Sequence, residues 1–384
     1  MTAAKGRGQG ALGFAPVKTG GIALLCLFAV LGADFVYTAL FVDHREGFEA
    51  RYRIRDRQFH HTFKKNYDDV TSWAGKPYSI RTNSLGFKDS TRRDVSKSAP
   101  RRRLLFIGDA AVEGLGLTWK DTFVGKIAID SPEYEVLNAG EFSYSPVLYH
   151  RKVKWLLDSG YQFAEVWVFI DMSDIQDEAT HYFCSDTDSR YRPFCKLSIE
   201  QHGSMKRAWT HGIKRFFADN FVLTYGALEP LWRNTTYDRL SPEWEELAMY
   251  AKDDPIVRGR VSWTTAQIEK DYWPLGAKKG LDRAVANMGQ LHALLVAHDI
   301  GLTVVVYPWP TQLDIDEQDS RQRKIWGEWC AGRCDRFIDL FPVFFSYRDQ
   351  HDDWYKDLYF DGDVNLNANG QQFVFENLRV LMSD

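Results

Sequence analysis

The stretch Leu104-Leu-Phe-Ile-Gly-Asp-Ala110 runs from an apolar, strand-like segment into a tight turn, with Gly114 and Gly116 close behind. A buried strand ending in such a turn delivers the next side chain to the carboxyl edge of a sheet, where open α/β folds build their sites. A hydroxyl placed there attacks a carbonyl only if a neighbouring base takes its proton, because an unactivated hydroxyl is a weak nucleophile. The residue delivered is Ala110, which has no atom for that chemistry. Substitutes are few. Ser143 and Ser145 follow Gly140 but stand just ahead of Pro146, and they read as loop residues that cap the helix Pro146 begins. His351 lies in the charged run Arg348-Asp-Gln-His-Asp-Asp353 and reads as a surface histidine. His60 and His61 are adjacent, and on a helix adjacent side chains diverge by about 100°, a poor start for a metal site. Glu113, Glu141, Asp171, Asp174, Asp361 and Asp363 fall at or near strand ends. Such an acidic edge would suit a glycosidase or a cation, although loop carboxylates more often bond backbone N–H groups or water. We expect no metal and no cofactor.

These residues need a sheet to position them. Strands are expected at residues 104–107, 134–138, 166–170, 302–307 and 337–340, and helices at 121–129, 146–158, 281–298, 317–330 and 370–382. Alternation with such short turns predicts a parallel sheet covered by helices on both faces. Between residues 179 and 275 the alternation breaks. This stretch reads as a mostly helical insertion, a cap over the sheet's active edge. Its aromatics (Tyr182, Phe183, Tyr191, Phe194, Trp209, Trp232, Trp244, Trp263) are divided between core packing and surfaces able to stack on sugars.

The order of these pieces resembles the SGNH (GDSL-type) hydrolase superfamily, in particular its membrane-anchored bacterial members. The resemblance rests on Asn83-Ser-Leu-Gly-Phe-Lys88, Phe106-Ile-Gly-Asp-Ala110, Val136-Leu-Asn-Ala-Gly140, Val168-Phe-Ile-Asp-Met-Ser-Asp174 and Asp363-Val-Asn-Leu-Asn-Ala-Asn-Gly370. It implies a flavodoxin-like three-layer α/β/α fold over residues 78–384 and an esterase or acyltransferase site of four blocks. Three blocks depart from that pattern. Ala110 stands for the nucleophilic Ser, Ser173 for the oxyanion Asn and Asn365 for the catalytic His, while Asp109, Gly140 and Asp363 are retained. An amide is no base near neutral pH. The resemblance therefore implies a degenerate site, a pocket of Asp109, Ala110, Gly140, Ser173, Asp174, Asp363 and Asn365 that binds an acyl group or polysaccharide without turning it over. The alternatives are an active esterase or O-acyltransferase with a rearranged site, and a structural subunit of a membrane complex acting through its apolar helix.

That helix is expected at residues 21–42, an apolar run long enough to cross a bilayer. Lys5, Arg7 and Lys18 precede it with no acidic residue among them, so residues 1–20 are expected in the cytoplasm and the main domain in the periplasm of a bacterial inner membrane. Asp34 inside the span is unusual, and reads as a carboxyl near the outer interface or a polar contact to a membrane partner. Residues 43–77 read as a juxtamembrane stalk, with 43–66 helical. The cysteine pairs Cys184/Cys195 and Cys330/Cys334 suit disulfides in an exported domain. A net charge of −4 gives no support for nucleic-acid binding.

Overall fold

The five apolar runs become five parallel strands, and all but the edge strand of residues 336–339 are buried along most of their length, as a sheet covered on both faces requires. A computed structural model of the chain describes residues 16–41, 52–56, 58–74, 76–182, 221, 223–224, 227, 259–265, 272 and 275–382. In sequence order the sheet strands are β5 (Arg102–Ile107), β6 (Tyr134–Asn138), β7 (Glu165–Ile170), β8 (Gly301–Val306) and β9 (Arg336–Asp339). They lie side by side as β6-β5-β7-β8-β9, the flavodoxin-like order. The order reverses between β5 and β7, so the crevice at their carboxyl ends is where such sheets bind ligands.

The helices α3 (Phe123–Asp130), α4 (Pro146–Asp158), α6 (Ala277–Ala297) and α11 (Ala368–Met382) stand at expected positions, most with shifted ends, while α2 (Ala110–Glu113) and α5 (Ser173–Thr180) form at strand ends where no helix was expected. The helix expected at 317–330 is α8 (Arg321–Cys330), and a separate short helix that was not expected, α7 (Pro310–Ile315), precedes it. Ser320 separates them because its hydroxyl caps Gln322 N and starts α8 afresh. Two further helices, α9 (Phe341–Gln350) and α10 (Trp354–Leu358), fill a stretch where no element was expected. Cys330 and Cys334 are bonded as expected; Cys184 and Cys195 lie outside the described residues.

Residues 43–66 are not helical where they are described. Residues 53–81 form two antiparallel hairpins, β1 (Arg53–Asp56) with β2 (His60–Phe63) and β3 (Asp68–Trp73) with β4 (Lys76–Arg81). Asp56 makes the first turn by accepting Gln58 N at 2.7 Å and Phe59 N at 2.9 Å, a local bond that competes with helix. Tyr52, Arg53, His61 and Phe63 are buried.

The chain divides into two compact units, residues 1–44 with 199–241 and residues 45–198 with 242–384. The first contains α1 (Pro16–Phe41), in which Gly20–Leu40 is long and apolar enough to cross a membrane. Most of the expected cap lies outside the described residues. Its residues 199–241 group with α1, whereas Trp263 belongs to the sheet unit, donating Nε1–H to Met172 O at 2.9 Å.

Candidate functional site

The turn after β5 is shaped by packing. A side chain at Gly108 would place its Cβ 2.6 Å from Val112 Cγ2 and 3.0 Å from Phe169 Cβ. Asp109 then caps α2 through Ala111 N at 3.1 Å, and Ala110 opens the helix facing a cleft shared with Asp109, Asp171, Tyr307, Trp309 and Asn365. A second cleft adjoins Ala110 and is bordered by Phe142, Ser143, Ser173, Asp177 and Arg260. Of the expected pocket residues, Asp109, Ala110, Ser173 and Asn365 border these clefts, while Gly140, Asp174 and Asp363 do not, and most of the polar atoms among them are already spent.

Asn365 donates Nδ2–H to Asp363 Oδ1 at 2.9 Å. This is the bond an imidazole N–H would make to an orienting Asp, kept by an amide that cannot take a proton. Asp363 also accepts Val364 N at 2.6 Å, Asn365 N at 3.2 Å and Trp73 Nε1 at 2.7 Å. Burial raises its pKa, and these donors oppose the rise. Ser173 turns both its N–H and its hydroxyl onto Asp171 Oδ1, each at 2.7 Å. Gly140 gives its N–H to Asn138 Oδ1 at 3.0 Å. A Cβ on Gly140 would meet Glu113 N at 2.5 Å and Val112 Cβ at 2.6 Å, so close packing against α2 accounts for the glycine. Both oxyanion positions are closed.

The carboxylates divide into two groups. Asp109 and Asp171 flank Tyr307, whose hydroxyl is 3.0 Å from Asp109 Oδ1 and 2.8 Å from Asp171 Oδ2. A phenol has one proton to give. Donation to Asp171, which also receives Trp309 Nε1 at 2.8 Å, leaves Asp109 to bond the phenol oxygen as a protonated acid. Burial, then the neighbouring Asp171, hold the Asp109 pKa well above the carboxylate range. Asp174 is raised for the same two reasons and accepts Tyr149 OH at 2.8 Å and Asp171 N at 2.9 Å. Glu113 and Glu141 turn the other way, toward the first hairpin. Glu113 pairs with Arg53 and accepts Phe142 N at 2.8 Å. Glu141 pairs with Lys152 at 3.2 Å and accepts Thr62 Oγ1 at 2.8 Å. Asp361 is exposed. Among the described residues no group of carboxylates, His or Cys is placed to hold a metal.

The substitutes for a nucleophile fare differently. His351 is exposed, stacked on Tyr347 with ring centroids 3.9 Å apart, and does not border either cleft. Ser145 occupies the position before α4 but makes no cap; its hydroxyl bonds Glu178 at 3.2 Å, and Glu178 accepts Val147 N at 2.7 Å instead. Ser143 does border the cleft, in left-handed backbone at φ 59°. Its hydroxyl donates to Asp177 Oδ2 at 2.7 Å, while His181 bonds the other oxygen of Asp177 at 3.0 Å. The carboxylate therefore stands between hydroxyl and imidazole, the reverse of a serine–histidine–acid relay.

Trp73, Asn138, Asp177, Arg260, Tyr307 and Trp309 were not expected at the site. Tyr307 and Trp309 had a signal, since they follow β8 at the same sheet edge. Trp73 reaches Asp363 from 290 residues away along the chain and had none.

With Gly-Asp-Ala after β5, Gly140 after β6, Ser173 after β7 and Asp363-Val-Asn365 ahead of α11, every block stands at the crevice of a 2-1-3-4-5 sheet. The chain has a flavodoxin-like parallel α/β fold, the architecture that the resemblance to SGNH hydrolases implies. No family model matches the chain, and no curated protein matches it. Solved structures similar to it include a lipolytic protein of the G-D-S-L family from Veillonella parvula (9% identity, 73% of this chain and 98% of that one, TM-score 0.37). An acetylxylan esterase from Geobacillus stearothermophilus is also similar (12%, 74% and 94%, TM-score 0.35). So is a GDSL-like lipase from Bacteroides thetaiotaomicron (11%, 75% and 91%, TM-score 0.32).

Proposed function

We propose that this protein is a membrane-anchored SGNH-type pseudoenzyme, its main domain periplasmic and its site given over to binding or scaffolding in cell-envelope polysaccharide modification or a membrane complex. One observation carries the loss of chemistry. Where a nucleophile and its base should meet stand a methyl group, Ala110, and an amide, Asn365, already committed to Asp363. The closure of Gly140 N–H and Ser173 onto neighbouring side chains supports the same reading. An acyl group or sugar held in the cleft would meet Trp309, Ser143 and Asn365, contacts that hold a ligand without activating it.

A second reading, an active esterase or O-acyltransferase with a rearranged site, is favoured by Ser143 alone. Left-handed backbone at a non-glycine residue is the kind of strain found at functional sites. Turnover of a small acetyl ester by the purified full chain decides between the two. The expected result is hydrolysis at the uncatalysed rate for wild type, Ser143→Ala and His351→Ala alike. Turnover by wild type that disappears in Ser143→Ala would overturn the pseudoenzyme reading.

A further inference from the structure

A carboxylate inside a membrane helix is rare, and it is found facing a protein partner or water rather than lipid. Asp34 is 3% exposed on a helix whose neighbouring side chains stand open; Phe35 is 45% exposed and Leu40 70%. What covers Asp34 belongs to this same chain. Oδ1 accepts Leu223 N at 3.1 Å and Oδ2 accepts Thr224 N at 2.7 Å, with Thr38 Oγ1 adding a third bond at 3.3 Å. Phe221 packs on Phe35, ring centroids 5.8 Å apart, and the backbone is helical at Leu223, Thr224 and Ala227. The Leu223 side chain is 56% exposed.

Depth follows from the rise of an α-helix. Asp34 lies six residues before Leu40, the end of the apolar span, which places it about 9 Å inside that end. Backbone bonded directly to Asp34 shares its depth. We infer that the chain at Phe221, Leu223 and Thr224 is a second membrane-embedded element. The Asp34 carboxylate holds it against α1 within the leaflet entered by the C-terminal end of α1, and the exposed Leu223 side chain meets lipid acyl chains. Two features support this independently of the exposure of Leu223. The carboxylate and the two amides satisfy each other, as polar groups in hydrocarbon must, and the Phe221–Phe35 contact continues the apolar surface of α1. Asp34 therefore acts as an internal clasp, and the inserted segment is one the bilayer helps to position. The inference rests on the reading of α1 as a membrane span.

Lipid-borne quenching tests it on the full chain. In a background of Cys26→Ser, Cys184→Ser and Cys195→Ser, with Cys330 and Cys334 kept in their disulfide, a cysteine introduced at position 25, 223 or 278 carries a bimane probe, and the protein is placed in phosphatidylcholine nanodiscs with or without nitroxide-labelled lipid. Lys278, whose side chain is 89% exposed on the sheet unit, serves as the aqueous reference. Expected is loss of emission at 223 as large as at 25, and none at 278. Asp34→Ala, or Asp34→Asn where the first fails to insert, is expected to relieve quenching at 223 and leave 25 unchanged. Emission at 223 that follows 278 while 25 is quenched overturns the embedded element but leaves the span standing. Absence of quenching at 25 as well removes the span and the inference with it. Quenching at 223 that persists in both Asp34 variants overturns the clasp.

Discussion

The two ends of α2 hold polar clusters that bury charge by opposite means. At its start, Asp109 joins Asp171, Asp174, Tyr307 and Tyr149, acids and phenols with no cation among them; burial and the neighbouring Asp171 raise the pKa of Asp109 and of Asp174, and the hydroxyls bridge the carboxyls. At its end, Glu113 and Glu141 meet Arg53 and Lys152, full charges matched pairwise. Burial alone would lower the Arg53 pKa, and the attraction of Glu113 more than reverses this; Lys152 is lowered by burial, with Glu141 opposing. The first cluster lies at the crevice of the sheet. The second fastens the first hairpin to the loop of residues 141–145, helped by His61, whose Nε2 is 2.7 Å from Phe142 O. The crevice carries a methyl group at Ala110 and an amide at Asn365, while the polar framework on both sides of it is complete. A framework of this kind without a nucleophile or base beside it is what the proposed binding role requires.

The comparison breaks most visibly at the paired end. Arg53→Met leaves Glu113 buried without its cation, and the expected loss of unfolding free energy is about 3–5 kcal/mol, read from urea denaturation. Arg53→Met with Glu113→Gln is expected to recover most of it, since the amide oxygen still accepts Phe142 N. No recovery would mean that the pair is not what holds the hairpin. A smaller effect is expected beneath the crevice. Trp73→Phe takes one donor from buried Asp363, at a cost of about 1–3 kcal/mol in the same assay.

The protonated end shows itself through pH. A carboxyl whose folded pKa is raised binds its proton more tightly in the folded state, so its contribution is full below the unfolded value near 3.9 and is lost as pH rises toward the folded value, by at most about 1.4 kcal/mol per pH unit. Asp109→Asn has nothing to titrate, and its amide oxygen in the Oδ1 position still accepts from Ala111 N. Thermal melts across mildly acidic to neutral pH are expected to fall less steeply for this variant than for wild type. Equal slopes would show that Asp109 is ionised. Lys88 sharpens the contrast with the opposite sign. Burial lowers its pKa to about 7, so stability should climb as pH rises from that value toward the unfolded value near 10.4, and Lys88→Met should flatten that climb.

The sheet was legible because its strands are apolar on both faces, and a run such as 166–170 has few other uses. The hairpins were not legible. The side chains they bury include Arg53 and His61, and burial of a cation shows only once its partner, here Glu113, is placed beside it. At the site, Ala110 and Asn365 could be read directly, since the absence of an oxygen or an imidazole is a fact of composition. The rotation of Ser173 onto Asp171 and the capture of Gly140 N–H by Asn138 depend on side-chain direction, which spacing does not encode. The acidic edge misled for the same reason: six carboxylates near strand ends suggested one surface, yet Glu113 and Glu141 point to the hairpin and Asp361 to solvent.

The most direct test of the proposal that the crevice lacks catalytic chemistry is to return the reactive atoms and measure kcat/KM on a small acetyl ester. Ala110→Ser with Asn365→His restores a nucleophile and a base but leaves Ser173 bonded to Asp171 and Gly140 N–H bonded to Asn138. The expected result is little turnover in the double variant and a rise when Ser173→Asn is added, since a single oxyanion donor is worth roughly 10²–10³ in rate. A double variant that hydrolyses the ester as fast as the triple would contradict the closure of the oxyanion positions.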